Sequence, residues 1–185
     1  MKELSEHILD IAQNSVAAGA AHISILLSED QNHLLTVVIQ DNGCGMAPEV
    51  LARVADPFIT SRTTRKVGLG IPLYRMVAEL TGGSVEIQST QGVGTTVTAG
   101  FHTDHLDCAP MGDLAGTVAL LIQGSPDTDF TVERRTPSGG YTFSTQEVRE
   151  ELGPDIPLNE PEVFLWLNDY LQELESEVTS AEAHF

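Results

Sequence analysis

The 185-residue chain is poor in cysteine, in basic residues and in long apolar runs, and each shortage excludes a class of protein. Its two cysteines, Cys44 and Cys108, are too few for a disulfide framework, so we expect reduced thiols. No window approaches the roughly 18 unbroken apolar residues of a membrane span, and the acidic opening MKELSEHILD is unlike a signal peptide. We therefore expect a cytoplasmic protein with no membrane partner.

The charge of the chain is strongly acidic and unevenly distributed. Lysine and arginine total 9 against 27 aspartates and glutamates, which gives a formal net charge of −18. Nucleic acids and anionic membranes bind through basic patches, so this balance argues against both as partners. Residues 106–185 hold 16 of the acids and only 3 bases, whereas five of the nine bases fall between residues 53 and 75. That short basic stretch indicates a phosphate-bearing ligand.

The apolar pattern of residues 1–101 predicts one α+β unit. Helical spacing begins at Leu4 and stops at Gly19, and period-two alternation over 23–27 and 35–39 predicts a β-hairpin. We also predict a short helix from Ala47, a helix over 70–80, and strands over 84–89 and 95–101. This order favours a sheet with helices on one face.

Residues 102–185 differ in character and are predicted to form a second, acidic α+β region. They hold a polar loop, a short amphipathic helix over 113–123, a hairpin around Pro137 and a closing helix from Pro161 to about 177. From Asp155 onward there are eight acids and no lysine or arginine. A solvated surface explains this charge most simply, and a basic protein partner is the alternative. We expect this region to pack on residues 1–101 or to be linked to them.

Four short motifs carry the candidate chemistry, and each has a plain structural explanation when taken alone. In the first helix, Asp10 and Asn14 stand one turn apart on one face. A buried asparagine needs a use for its amide, so Asn14 is either a satisfied core residue or the ligand of an ion. After the second strand comes DNGCGM (41–46), where Asp41 offers an acceptor and the glycines admit a flat ring. DNG alone is also an ordinary turn.

The other two motifs combine glycine with the start of a helix or strand. VGLGI (67–71) opens a helix directly after basic residues, and the N–H groups of such an N-terminus suit phosphates. Most GLG sequences are nevertheless simple helix starts. GVGTT (92–96) is a tight turn into the last strand of this unit and has hydroxyls available for binding.

Taken together and in this order, the four motifs resemble those of the GHKL ATP-binding family, which includes gyrase B, the heat-shock chaperone, sensor histidine kinases and MutL. DIAQNSVAAGA (10–20) is similar to the N box of MutL, and DNGCGM to its G1 box. VGLGIPL (67–73) and GVGTTVTAGF (92–101) look more like the G2 box and terminal G box of histidine kinases. The resemblance covers residues 1–101 and implies a Bergerat-type ATP-binding fold, a two-layer sandwich in which helices cover one face of a mixed sheet.

Residue by residue, the resemblance implies an adenine side and a phosphate side of the site. Asp41 would accept a hydrogen bond from the adenine amino group, Thr95 would join it through water, and Gly43 and Gly45 would line the pocket. Asn14 would coordinate Mg²⁺ between the phosphates. A lid over 55–67 would hinge on Gly68 and Gly70, and Leu69 between them would belong to the nucleotide-binding residues. Arg62, Arg65 or Lys66 would reach the phosphates, and solvation of these bases in an exposed loop is the alternative.

Asp10 departs from the family pattern and leaves the enzyme question open. Hydrolytic members usually carry Glu there, the base that orients the attacking water, and histidine kinases carry a non-acidic residue. Asp is one methylene shorter, so Asp10 either acts as general base through a shifted water or supports Mg²⁺. His7, one turn earlier, is a phosphoacceptor, a second base or, as is commoner for such a position, structural.

A metal site is a separate hypothesis for the loop after the last of these strands. His102, His105, Asp107 and Cys108 are all ligand types and lie close together in sequence. Their spacing matches no paired CxxC or HExxH pattern, so a simple strand-end loop is the favoured interpretation.

Two classes of function follow from these observations. Because the N box stands at the start, we expect no dimerising hairpin with a phosphoacceptor histidine before it, and no transducer domain after it. We expect a Mg-ATP-binding switch that binds ATP or ADP and is read by a protein partner through 106–185, with slow hydrolysis as an option. A serine or histidine protein kinase resembling the anti-sigma factor kinases is the alternative. The chain also resembles small GHKL proteins of anaerobic bacteria found beside iron-only hydrogenase, which implies a redox or hydrogenase-related partner.

Overall fold

The computed structural model describes residues 2–56 and 70–182. Along these residues the elements follow in the order α1 (Leu4–Ala17), β1 (His22–Glu29), β2 (Leu34–Asp41), α2 (Pro48–Ala55), α3 (Gly70–Leu80), β3 (Val85–Thr90), β4 (Gly94–His102), α4 (Leu114–Gly124), β5 (Asp129–Thr136), β6 (Gly139–Ser144), α5 (Thr145–Leu152) and α6 (Pro161–Glu182). The predicted helices and strands are present, and α6 continues beyond its expected end near residue 177.

The strands of the described residues form one mixed sheet in the order β3-β4-β2-β1-β5-β6. β1 and β2 form the predicted hairpin, and β4 pairs antiparallel with both β2 and β3. β5 joins β1 in parallel, and the β5–β6 hairpin continues the sheet beyond it. This confirms the predicted α+β architecture with a mixed sheet. The strands of 102–185 extend the sheet of 1–101, and a domain boundary at residue 101 stays a prediction.

Every second residue of the central strands is buried because one face of the sheet carries the core. Ile25 of β1 is opposite Ile39 of β2 and Val132 of β5, and Ile39 is in turn opposite Val97 of β4. All four are at most 5% exposed, whereas Leu26, which follows Ile25 in β1 and points to the other face of the sheet, is half-buried. The helices pack on this buried face, as the alternating pattern predicted.

α4 differs from the amphipathic helix predicted for this segment. Seven of the 11 residues of α4 are buried, and Leu120 is the one large apolar side chain of this helix that is strongly exposed. The reason lies in the tertiary structure, because α4 packs against both α1 and α6. A helix covered by two neighbours needs apolar residues around most of its circumference.

The loop after β4 completes the first helix. The backbone oxygens of Pro110 and Met111 accept hydrogen bonds from the N–H groups of Leu4 and Ser5, each at 2.9 Å. N–H groups in the first turn of a helix have no partner within the helix itself. A segment of the C-terminal region therefore stabilises the start of α1, the helix that carries Asp10.

Candidate functional site

Three of the four motifs meet at one end of the sheet, where β2 ends and β4 begins. Asp41 is the last residue of β2 and the cross-strand partner of Thr95, near the start of β4. Ser15 of α1 reaches the same point from the helix layer. The structure thus brings Asp41 and Thr95 together, as the resemblance implied.

The carboxylate of Asp41 connects a helix, a loop and a strand. Its Oδ2 accepts a hydrogen bond from Ser15 Oγ at 2.6 Å, and its Oδ1 accepts from Gly43 N at 2.9 Å and Thr95 N at 3.3 Å. A carboxylate has about four acceptor positions, two on each oxygen. The donors of the described residues occupy both positions on Oδ1 and one on Oδ2. One acceptor position on Oδ2 therefore remains for a ligand, although Asp41 is only 9% exposed.

The loop that follows Asp41 is held from both sides by hydrogen bonds. Asn42 Oδ1 accepts from two successive backbone N–H groups where β1 begins, each at 2.9 Å. Cys44 N donates to Ala18 O at 2.9 Å, and Gly92 N donates to Cys44 O at 2.7 Å. The loop is therefore clamped between the end of α1 and the β3–β4 turn, which fixes its backbone before any ligand binds.

The two glycines of this loop are required by packing within the protein. A Cβ at Gly43 would lie 2.8 Å from Ala18 Cβ. Gly45 has a φ of 64°, and a Cβ there would lie 2.1 Å from Thr90 O at the end of β3. Both distances are shorter than van der Waals contact, so a larger residue would displace backbone. Contact of Gly43 and Gly45 with an adenine ring stays a prediction.

A hydroxyl pair orients the side chain of Thr95. Its Oγ1 lies 2.8 Å from Ser89 Oγ, which also accepts a hydrogen bond from Met46 N at 2.8 Å. Thr95 is thus held through its backbone N–H at Asp41 and through its hydroxyl at Ser89. This arrangement places a polar, half-buried side chain directly beside the Asp41 carboxylate.

Asp10 and Asn14 stand on α1 next to the start of α3. Lys2 Nζ donates to Asp10 Oδ2 and forms a partly exposed ion pair with it. A Cβ at Gly70 would lie 3.3 Å from Asp10 Cβ, so the first residue of α3 packs against α1 at this point. Asn14 is exposed, one turn further along. The explanation of Asn14 as a satisfied core residue is therefore wrong, because its side chain is not in the core.

His7 is buried beneath this surface and is 3% exposed. Within the described part of the chain its two ring nitrogens have no hydrogen-bond partner, and neither has the hydroxyl of Tyr74, whose ring centroid lies 6.2 Å away. Burial lowers the pKa of His7, and the nearby charge of Lys2 lowers it further. The burial of the imidazole and its lowered pKa favour the structural interpretation of His7.

Several predicted site residues lie outside the described residues, so their roles stay predictions: Arg62, Arg65, Lys66, Gly68 and Leu69. Within 2–56 and 70–182, no group of three or more His, Cys, Asp and Glu side chains is placed to hold a metal ion. In the loop after β4, His105 Nδ1 instead accepts a hydrogen bond from Asp107 N at 3.1 Å. Burial raises the pKa of the Cys108 thiol, which disfavours the thiolate that metals bind.

Two cavities of the described structure lie away from the motifs. One, of about 490 Å³, is lined by the β1–β2 turn, the β5–β6 turn and Glu182. The other, of about 550 Å³, lies along the β5–β6 hairpin. Neither of these two cavities is lined by a motif residue.

The sequence patterns missed three residues of the site. Ser15 continues the helical spacing of Leu4, Ile8 and Ile11, and a hydroxyl at an otherwise apolar position is the one signal that the sequence offers for it. Ser89 lies in an alternating strand and gave no signal of its bond to Thr95. Lys2 pairs with Asp10 from the short segment before α1, where nothing indicated a contact.

Comparison with known proteins identifies the family of the chain. Residues 1–105 match the family described as histidine kinase-, DNA gyrase B-, and HSP90-like ATPase, which is more than half of the chain. The chain belongs to this family. Membership confirms the resemblance found in the motifs and implies an ATP-binding domain of the ATPase and kinase type.

Curated relatives carry names of sensor proteins and kinases. A putative sensor protein of Shewanella frigidimarina is 30% identical over 99 residues, which is 52% of this chain and 15% of the relative. An uncharacterized sensor-like histidine kinase of Rhizobium meliloti is 32% identical over 130 residues, 66% of this chain and 25% of the relative. The histidine protein kinase DivJ of Caulobacter vibrioides is 40% identical over 68 residues, which is 35% of this chain and 11% of the relative. The chain thus spans at most a quarter of these relatives' length.

A solved structure also aligns with the chain. It is the N-terminal domain of a DNA repair protein, and it is 17% identical with a TM-score of 0.49. The alignment covers 78% of this chain and 52% of the chain in that structure. In the ranges that the structure describes, no helix has both the length and the apolar character needed to cross a membrane.

Proposed function

We propose that the chain binds Mg-ATP and acts as a nucleotide-dependent switch for a protein partner in the cytoplasm, with slow hydrolysis at most. The observation that carries the proposal is the Asp41 carboxylate, held by three donors with one acceptor position left on Oδ2. In an ATPase family, a fixed acceptor of this kind suits the exocyclic amino group of adenine. ATP and ADP share that base, so the phosphate side has to distinguish them.

On the phosphate side, the proposal assigns Mg²⁺ to Asn14. Asn14 is exposed, and the oxygen of an amide is a hard ligand of the kind that Mg²⁺ takes together with phosphates and water. The start of α3 at Gly70 packs against α1 one turn away, and helix N-termini favour phosphate groups. The residues assigned to this side by resemblance alone are Arg65, Lys66, Gly68 and Leu69.

Asp10 decides between a switch and an ATPase. As a general base it must take a proton from water, but Lys2 already donates to Oδ2. Asp10 would therefore have to use Oδ1 or lose Lys2 first. This ion pair supports slow turnover, and the alternative role of Asp10 is to support Mg²⁺.

A protein kinase is the second candidate, and the names of the relatives favour it. Two of those described above are named as histidine kinases. In that case the terminal phosphoryl group of ATP would pass to a serine or histidine of the partner, with ADP as the other product. The Asp41 and Asn14 assignments would be the same in both cases.

The purified chain allows one set of measurements to test these alternatives. Calorimetry with ATP and ADP, with and without Mg²⁺, measures binding, and phosphate release measures turnover. We expect ATP binding that Mg²⁺ strengthens, with phosphate release close to the buffer rate. Absence of ATP binding would overturn the proposal. Fast phosphate release would show that the chain is an ATPase and not a switch. Transfer of the labelled terminal phosphoryl group from ATP to a partner would show that it is a kinase.

A further inference from the structure

A stacked pair of aromatic rings lies exposed on α6. Trp166 and Tyr170 are one turn apart, with ring centroids 5.3 Å apart and planes 8° from parallel. Trp166 is 51% exposed and its neighbour Leu165 is 61% exposed. Side chains of this size usually bury most of their surface, and Trp and Tyr are enriched where protein partners dock. These three residues are called the aromatic patch below.

The aromatic patch is not an unfinished part of the core. α6 already buries its inner side through Val163, Leu167 and Leu171. Tyr170 also contacts Phe143 of β6, with ring centroids 6.3 Å apart, so its orientation is held by the sheet. β6 is the edge strand at the end of the sheet away from β3 and β4. The patch therefore lies by the opposite edge of the sheet from β3, whereas the site around Asp41 is built on β2 and β4.

Acidic side chains surround the aromatic patch. Helical spacing puts Glu162 and Asp169 next to Trp166, and it puts Glu173 next to Tyr170. All three acids are exposed, and α6 contains no lysine or arginine. The surface is thus apolar at its centre and negative at its rim.

This charge pattern selects the kind of occupant. A second copy of the chain would bring the same acids and a net charge of −18, and nucleic acids or anionic membranes would also be repelled. A guanidinium or ammonium group instead stacks favourably on an indole ring and donates hydrogen bonds to nearby carboxylates. We propose that the aromatic patch of α6 docks a basic, amphipathic segment of the partner protein. This inference rests on the proposed switch function and gives the partner's chemistry.

A synthetic peptide of Arg, Leu and Ala serves as the probe, with a matched peptide in which every Arg is replaced by Glu. Trp166 is the only tryptophan of the chain, so binding at the patch should change the intrinsic fluorescence directly. A labelled form of the peptide gives affinities for variants by anisotropy. We expect Trp166→Ala to weaken Arg-peptide binding about tenfold or more. Met76→Ala removes a 50% exposed side chain from α3 and should leave the affinity unchanged.

Two triple variants that remove equal charge test the rim: Glu162→Gln with Asp169→Asn and Glu173→Gln around the patch, and Glu147→Gln with Glu150→Gln and Glu151→Gln on α5. We expect the rim variant to bind the Arg peptide about tenfold more weakly, and the α5 variant to stay within about twofold. Equal weakening in both triples, unchanged binding by Trp166→Ala, or equal binding of the Glu peptide would each overturn the inference.

Calorimetry with ATP on the same proteins separates this inference from the proposed function. Normal ATP binding without Arg-peptide binding overturns the docking surface alone. Arg-peptide binding that Trp166→Ala abolishes, in a chain that does not bind ATP, overturns the nucleotide switch and supports the docking surface.

Discussion

Asp41→Asn should remove recognition of the adenine amino group while keeping the fold. Both acceptor positions on Oδ1 are taken by the backbone N–H groups of Gly43 and Thr95, so the amide oxygen of asparagine belongs there. The amide nitrogen then replaces Oδ2. Ser15 can adapt, because its hydroxyl rotates from donor to acceptor. The position on Oδ2 that was free to accept cannot adapt in this way. It now carries an N–H of the asparagine amide, which faces the amino group of adenine, and two donors form no hydrogen bond.

The expected magnitude follows from the loss of one charge-assisted hydrogen bond. Such a bond contributes about 1.5–3 kcal/mol, and about 1.4 kcal/mol corresponds to a tenfold change in affinity. Asp41→Asn should therefore weaken ATP binding by roughly ten- to a hundredfold. Inosine triphosphate carries an oxo group in place of the amino group, so its affinity should change little or improve. The ratio of the two affinities isolates the contact with the base from any general damage.

Calorimetry with both nucleotides on the native chain and on Asp41→Asn measures this ratio, and the melting temperature reports on the fold. Ser15→Ala is the matched control, because it removes one donor to Asp41 but keeps the carboxylate. It should lower the free energy of unfolding by about 1 kcal/mol and keep the preference for ATP. If folded Asp41→Asn retains the native preference for ATP, Oδ2 does not bind the amino group and the reasoning is refuted.

Three further predictions concern α1. Asn14→Ala should reduce the Mg²⁺ dependence of ATP affinity, whereas Gln13→Ala, an exposed neighbour, should not; equal dependence in both would remove Asn14 from the metal. If Asp10 is a general base, Asp10→Asn should lower the rate of phosphate release by about 10²–10⁴ and leave the affinity for ATP unchanged, and Asp10→Glu should raise that rate. If Asp10→Asn lowers the affinity for Mg-ATP instead, Asp10 has a positioning role. Because burial lowers the pKa of His7 below its usual 6.5, the unfolded chain binds a proton first on acidification. The free energy of unfolding should therefore fall as the pH drops below about 6.5. This fall should be smaller in His7→Leu than in His105→Gln, which changes an exposed histidine and serves as the control. Identical pH profiles of the two variants would contradict the prediction.

The sequence by itself determined the order and type of the elements and the family. Alternation at Ile23, Ile25 and Leu27 reports directly that one face of a strand is buried, and Gly19, with a φ of 72°, ends α1 as predicted. The motifs were recognisable because each places functional groups or glycines at a fixed spacing in the chain. Such signals are local in sequence, so they can be recognised without knowledge of the fold.

Only the tertiary structure decided which elements meet. Periodicity shows that a side chain faces a core but not which partner covers it, so the parallel pairing of β5 with β1 and the burial of α4 between two helices were not predicted. The same limit applies to the site: Ser15 and Asp41 are 26 residues apart in sequence, and their hydrogen bond exists only because α1 packs over the end of β2. Burial of His7 and exposure of Asn14 on one helix follow from that packing as well, because the covering elements decide which turn of the helix contacts solvent.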